Sequence, residues 1–300
     1  MTLGLFDQRL PGGVTLSCRS AGGIDAPRRI VFLHGFPEGA FVWDPLMQAL
    51  AARARCVAPN QRGYERSSAP AAIEAYRAKH LVGDVAALIS QLGAPVDLLV
   101  AHDWGGAVAW SFAALRPDLL RQLVIINAPH AGALLRELRA SPAQRAASAY
   151  MNELVRPDAA AHLAADVFAR LWSVFEADGT PPWLTPALRT AYRRVWSHGL
   201  DGALNWYRAS PLRPGGDADD PLHGLDLPAE MLRVEVPTTV LWGDADRALR
   251  SGLLDGLDRW VPKLRIHRLP AASHWIVHEH PGWIVERLND LLDRLEADGR

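Results

Sequence analysis

Short apolar runs alternate along this chain with longer stretches whose apolar residues recur at helical spacing. Ile30–Leu33, Cys56–Ala58, Val96–Ala101 and Leu123–Ile126 are almost continuously apolar, as strands buried on both faces of a parallel sheet are. Between them, residues 84–92 and 106–115 have helical length and periodicity, and Leu92-Gly93 and Arg116-Pro117 supply their stops. Alternation of this kind predicts a mostly parallel sheet flanked by helices. The rhythm breaks at about residue 130. From there to about residue 225 the chain is Ala-rich and amphipathic with no convincing strand, ending in the polar, turn-rich stretch Pro211–Pro221, which reads as a surface loop. Strand patterns return at 238–242 and 264–269, and a helical pattern at 283–292 closes the chain. The pattern therefore predicts one α/β core, residues 1–130 and 226–300, interrupted by a helical insertion over 131–225. No internal repeat or low-complexity segment is present.

Composition narrows the class. With 32 basic and 33 acidic side chains, the net charge of −1 offers no footprint for nucleic acid. Cys18 and Cys56 lie in no metal-binding spacing and are expected to be buried free thiols. The first ten residues lack the pattern of a secretory leader. No apolar stretch approaches the roughly 18 residues that a membrane span requires. A cytoplasmic protein, with no membrane partner, is the expectation; nothing in the pattern separates a monomer from a homodimer. The 11 tryptophans suit either an apolar pocket or a packed core.

The chemistry concentrates where the third strong strand gives way to a helix. Val100-Ala-His-Asp-Trp-Gly-Gly106 has the form of a nucleophile elbow, with small residues flanking a sharp turn, but Asp103 stands where serine is usual. A serine elbow would leave an ether on attacking a saturated carbon, which water does not readily cleave. A carboxylate is a nucleophile at neutral pH without a base to activate it, and it leaves an ester that water can cleave. Asp103 thus points to an epoxide or an alkyl halide. Asp at a helix start is also a common cap, so the reading depends on its partners.

Ester hydrolysis requires a base, and imidazole suits neutral pH. His274, in Ala271-Ala-Ser-His-Trp275, follows the last strand and precedes the terminal helix. His278 and His280 lie nearby, but no cysteine or suitably spaced acid completes a zinc site with them; no metal or organic cofactor is expected. An acid must orient the imidazole. Asp246, in Gly243-Asp-Ala-Asp246, is the choice and Asp244 the runner-up. Asn127, ending an earlier strand, occupies another position such an acid can hold, but an amide brings no charge. Two backbone donors are needed for the oxyanion: the Trp104 amide, next after the nucleophile, and the Phe36 amide in His34-Gly-Phe-Pro-Glu38.

In their order, His34–Glu38, Gln61-Arg-Gly-Tyr64, His102–Gly106, Gly243–Asp246, Trp260–Leu264 and Ser273-His-Trp275 resemble the epoxide hydrolases of the α/β-hydrolase fold, nearly end to end. The resemblance implies that the insertion is a cap carrying two tyrosines that hydrogen-bond the epoxide oxygen. Leu204-Asn-Trp-Tyr-Arg208 matches one motif and gives Tyr207; Ala149-Tyr150 through Pro157, a looser match, gives Tyr150. It also implies that Glu38 and His102 hold the hydrolytic water. Asn60 departs from the family's usual Asp, an expected effect on loop structure rather than chemistry. The implied activity is hydrolysis of a small apolar epoxide to a vicinal diol. Haloalkane and haloacid dehalogenases share the Asp elbow and are the closest rival reading. Fluoroacetate dehalogenases, however, carry an arginine where this chain has Trp104. A silent ligand receptor is a third reading, opposed by the intact set of Asp103, Asp246 and His274.

Overall fold

The computed structural model describes residues 3–177, 179–215 and 222–298; the 216–221 part of the polar stretch therefore lies outside the described residues. The strands are β1 (Gly4–Arg9), β2 (Thr15–Ala21), β3 (Arg28–Leu33), β4 (Ala54–Pro59), β5 (Val96–His102), β6 (Leu120–Ile126), β7 (Thr238–Gly243) and β8 (Leu264–Leu269). They form one sheet in the order β1-β2-β4-β3-β5-β6-β7-β8. β1 and β2 join antiparallel, and every pairing from β4 to β8 is parallel. The six strands legible in the sequence are present. β1 and β2 add to them, and β1 is an edge strand with mostly exposed side chains and no apolar run.

Helices α1 (Asp44–Leu50), α2 (Ala78–Gly93) and α3 (Asp103–Leu115) connect the early strands. The chain leaves β3 toward β4 on one side, then returns through β5 to build the sheet on the other. Adjacent strands whose connections diverge leave a crevice at their carboxyl ends, where open α/β sheets place their sites. The β3–β5 register pairs Leu33 with Ala101, so the residues that follow, His34-Gly35 and His102-Asp103, emerge side by side at that crevice.

Between β6 and β7 come α4 (Ala131–Ala140), α5 (Pro142–Ala147), α6 (Tyr150–Leu154), α7 (Ala159–Phe175), α8 (Pro186–Trp196), α9 (Asp201–Ala209) and α10 (Ala229–Leu232), with no strand among the described residues. Helicity in α7 is interrupted at Ala165–Phe168. The insertion is seated by specific contacts. Trp206 donates its indole N–H to the Arg62 carbonyl at 2.9 Å, and Trp196 donates to the Pro37 carbonyl at 2.6 Å. Gly202 meets Gly63 backbone to backbone: a Cβ on Gly202 would fall 2.5 Å from the Gly63 Cα. After β8, α11 (Ile276–Glu279) and α12 (Pro281–Asp298) close the chain, α12 packing on α1. No helix among the described residues is long and apolar enough to cross a membrane. Cys18 and Cys56 are buried and free, and burial pushes both thiols up to about 12.

Candidate active site

Asp103 opens α3 directly after the fully buried β5. Its φ of 50° lies in the left-handed region, a conformation costing a non-glycine residue on the order of 1–3 kcal/mol and held only when the surroundings impose it. Two glycines make room for the turn. A Cβ on Gly105 would lie 2.4 Å from the Leu33 carbonyl oxygen, and one on Gly35 would lie 2.3 Å from the Asp103 Cβ. The turn lifts the carboxylate clear of the helix. Its Oδ1 accepts from the Phe36 amide at 2.8 Å, and its Oδ2 stands 3.6 Å from His274 Nε2. The Trp104 amide, the second predicted donor, makes no bond to this carboxylate among the described residues; it lies one residue further into the helix.

His274 follows β8 and precedes α11, and its Nδ1 donates to Asp246 Oδ2 at 2.6 Å. The other Asp246 oxygen accepts from the Ala248 and Leu249 amides, each at 2.8 Å. Asp244, the runner-up, instead pairs with Arg268 at 2.9 Å, away from the imidazole. Asn127, discounted on sequence for want of charge, is fully buried and acts as a two-sided brace. Its Nδ2 donates to Asp246 Oδ2 at 2.8 Å while its Oδ1 accepts from the Gly243 amide at 2.8 Å. That role suits an amide, which both donates and accepts, and is closed to a carboxylate.

Burial alone would lower the His274 pKa, but the Asp246 carboxylate, with Asp103 behind it, holds it well above an ordinary imidazole. Burial alone would raise Asp246, and the facing imidazole keeps it below the usual carboxylate range. His34 is pushed down to about 4, chiefly by burial. Such a neutral ring fits its contacts, with Nδ1 2.9 Å from the Gly35 carbonyl and Nε2 accepting from the Gln61 amide at 3.1 Å.

Above the carboxylate, Tyr207 on α9 packs edge-on against Trp104 at 4.9 Å and Phe36 at 5.3 Å between ring centroids. Tyr150, at the start of α6, faces it at 6.4 Å. Burial raises both phenols, with the nearby negative charge of Asp103 adding to it. Tyr150 keeps 38% of its surface exposed, while its hydroxyl end turns inward to Tyr207.

Glu38 and His102 are both buried and joined, His102 Nδ1 lying 3.2 Å from Glu38 Oε2. The second His102 nitrogen, Nε2, lies 2.9 Å from the His274 carbonyl oxygen. Both ring nitrogens of His102 thus lie against protein oxygens, those of Glu38 and of the His274 main chain. Sequence reasoning also missed two partners of Glu38: the Tyr192 hydroxyl donates to Oε1 at 2.6 Å, and His278 Nε2 lies 2.7 Å from the same oxygen. His278, weighed in the sequence as a metal ligand, is thus committed to a carboxylate. No group of three or more His, Cys, Asp or Glu among the described residues is arranged to hold a metal ion.

A family model for the α/β hydrolase fold matches residues 28–281. Epoxide hydrolase 3 of Mus musculus is 32% identical over 275 residues, spanning 90% of this chain and 71% of that protein. This chain belongs to the α/β hydrolases, on their epoxide hydrolase branch. The hydrolase is also 35% identical over 280 residues to the AB hydrolase superfamily protein YfhM of Bacillus subtilis, spanning 92% of this chain and 93% of that one. Among solved structures, an epoxide hydrolase from Bacillus megaterium in complex with an inhibitor superposes with a TM-score of 0.88 at 29% identity, covering 96% of the hydrolase and all of that chain (100%). The mostly parallel sheet and flanking helices of the hydrolase are those of that fold. At Asn60, the residue departing from the family pattern, the amide accepts from the Ala40 amide at 2.8 Å and donates to Ser17 Oγ at 3.0 Å and to the Glu65 carboxylate. An Asp there would set carboxylate against carboxylate, so Asn60 and Glu65 belong together.

Proposed function

We propose that this hydrolase converts a small, uncharged apolar epoxide to a vicinal diol through a covalent ester on Asp103. The observation that carries the proposal is the placement of that carboxylate. One oxygen is held by the Phe36 amide and the other faces His274, below two phenols from the inserted helices. The insertion then serves as a cap.

In the first step Asp103 Oδ2 attacks one epoxide carbon from behind. That C–O bond breaks, and its electron pair goes to the epoxide oxygen, which is hydrogen-bonded by the Tyr150 and Tyr207 hydroxyls and takes a proton from one of them, leaving a tyrosinate. Phenols raised by burial are neutral donors at physiological pH, ready for a developing alkoxide. Forming the ester removes the Asp103 charge. His274, protonated at the outset, thereby loses one of the two carboxylates that hold its proton, gives that proton up to restore the tyrosine, and becomes available as a base. It takes a proton from water, and the hydroxide adds to the Asp103 carbonyl carbon. Negative charge then develops on Oδ1, against the Phe36 amide and the Trp104 amide that follows the nucleophile. Collapse breaks the ester C–O bond, the imidazolium gives its proton to the departing oxygen, and the Asp103 carboxylic acid so formed passes its proton to His274, restoring the starting carboxylate and imidazolium. Glu38 Oε2, with His102 as its protein partner, keeps a lone pair to accept from the water. Asp246, braced by Asn127, fixes the imidazole tautomer.

Single turnover of styrene oxide in oxygen-18 water tests the route. Label should enter Asp103, read by peptide mass, while the diol of the first turnover stays unlabelled. Label found solely in the diol would refute a covalent ester. Tyr207→Phe should slow diol formation by about 10- to 100-fold, and release of halide without any diol would assign the substrate to a halogenated compound instead.

A further inference from the structure

Glu38 is a fully buried carboxylate whose partners are two imidazoles and a phenol, each from a different segment. His102 comes from the end of β5, His278 from α11 beyond the catalytic histidine, and Tyr192 from α8 of the insertion. Burying an ion is costly unless its lone pairs are met, and these three groups meet all but one, on Oε2. One turn beyond Tyr192 on the same face of α8, Trp196 donates its indole N–H to the Pro37 carbonyl at 2.6 Å. One helix of the insertion therefore grips two consecutive residues of the core loop. The residue just before them, Phe36, supplies the amide to Asp103 Oδ1.

We infer that Tyr192 and Trp196 are positioning residues for the second half of the reaction, holding the Pro37–Glu38 segment so that the Phe36 amide and the Glu38 carboxylate face the ester on Asp103. This rests on the proposed ester route. The two half-reactions ask different things of that loop. When Asp103 attacks carbon, charge leaves Oδ1, and a perfectly placed amide stabilises the ground state at least as well as the transition state. When hydroxide adds to the ester, charge returns to Oδ1 and water must be oriented. A loop out of place therefore costs most in hydrolysis. Burial alone would lift the Glu38 carboxyl; the adjacent His278 imidazole and the hydrogen bonds from both histidines hold it below the usual range instead. The carboxylate is thus kept as an acceptor.

The test is pre-steady-state kinetics of Tyr192→Phe, Trp196→Phe, His274→Gln and wild type with styrene oxide, following ester by acid quench and mass. Tyr192→Phe keeps the ring, which packs edge-on against Phe41 at 4.9 Å, and removes the hydroxyl alone. Its alkylation rate should stay within about twofold while hydrolysis slows by about 10- to 100-fold, a fraction of what losing a whole oxyanion donor costs. Ester should accumulate, and kcat and KM should fall together so that kcat/KM holds. Trp196→Phe, which leaves Tyr192 in place, should show the same selective loss. A mere packing defect would lower both rates and kcat/KM, and that result, or wild-type hydrolysis in both folded variants, overturns the inference. His274→Gln separates this from failure of the reaction itself: it should trap the ester outright. If it traps none, the ester route and this inference fall together; if it traps ester while the α8 variants hydrolyse normally, only the inference falls.

Discussion

Replacing Gly35 by alanine puts the elbow geometry to a quantitative test. The new Cβ would stand 2.3 Å from the Asp103 Cβ, 2.4 Å from its Oδ1 and 2.7 Å from its Cγ. Carbon atoms in contact settle at about 3.5 Å or more, so the two segments must part by roughly 1.2 Å. Neither side yields freely. The loop is tied by the Phe36 amide to Asp103 at 2.8 Å and by Trp196 to Pro37 at 2.6 Å, while Asp103 already sits at a φ of 50°. Overpacking of this kind costs about 1–3 kcal/mol of stability, small enough for the variant to fold. A reacting group displaced by about 1 Å loses on the order of 10²-fold in rate. Gly35→Ala should therefore lower kcat/KM for diol formation by about 10²-fold, with a thermal midpoint only a few degrees below wild type. Activity within threefold of wild type in a folded variant would refute the close approach on which the site is built.

Asp246→Asn should cost about 10³- to 10⁴-fold in kcat, because Oδ2 accepts from both His274 and Asn127 and an amide turned either way leaves a donor opposed or the tautomer wrong; a loss below tenfold in steady-state assays would contradict that account. Stability should depend on pH at both ends. The His274 pKa is raised above 6.5 in the fold, so its contribution is complete below about pH 6.5 and is lost as pH rises through the higher folded value. Asp246 is lowered from 3.8, so its contribution is present above about that pH and is lost as pH falls through the folded value. Thermal midpoints between pH 5 and 10 should decline on the alkaline side in wild type and less in His274→Gln; identical alkaline slopes would count against the coupling. Asn60→Asp should destabilise by about 1–3 kcal/mol at neutral pH, partly regained on acidification as repulsion between the introduced carboxylate and Glu65 is relieved. A neutral effect in denaturant titration would show that Glu65 does not depend on the amide.

Much of the site was legible because its chemistry is written in contiguous motifs. The small residues around Asp103 and the strand-to-helix change at Ala101–Gly105 mark the elbow, and the position of Ser273-His274 after the last strand marks the histidine that the structure brings to it. Asp246 is preferred on sequence, but setting Asp244 aside required the loop itself, since two residues' shift leaves no trace in periodicity. The grip on Glu38 was not legible at all. Tyr192 lies 154 residues away and His278 lies 240 away, and neither stands in a motif pointing to the other. Asn127 was judged on the charge it lacks rather than on the donor and acceptor it offers. β1 and β2 escaped because neither carries a continuous apolar run, β1 at the sheet edge and β2 with polar residues interleaved, and their stability comes from pairing that a local window does not see.

The seam between Gly63 and Gly202 has a consequence for reshaping the hydrolase. Where two backbones already touch, no side chain remains to be trimmed, so α9 sits as near the core as matter allows and Tyr207 rides at a fixed height above Asp103. Any larger residue at either glycine would act as a wedge, prising that helix and its phenol upward. On the proposed reaction, room for bulkier epoxides would therefore have to be carved at α6, where Tyr150 is still 38% open to solvent, with the α9 side as the fixed gauge.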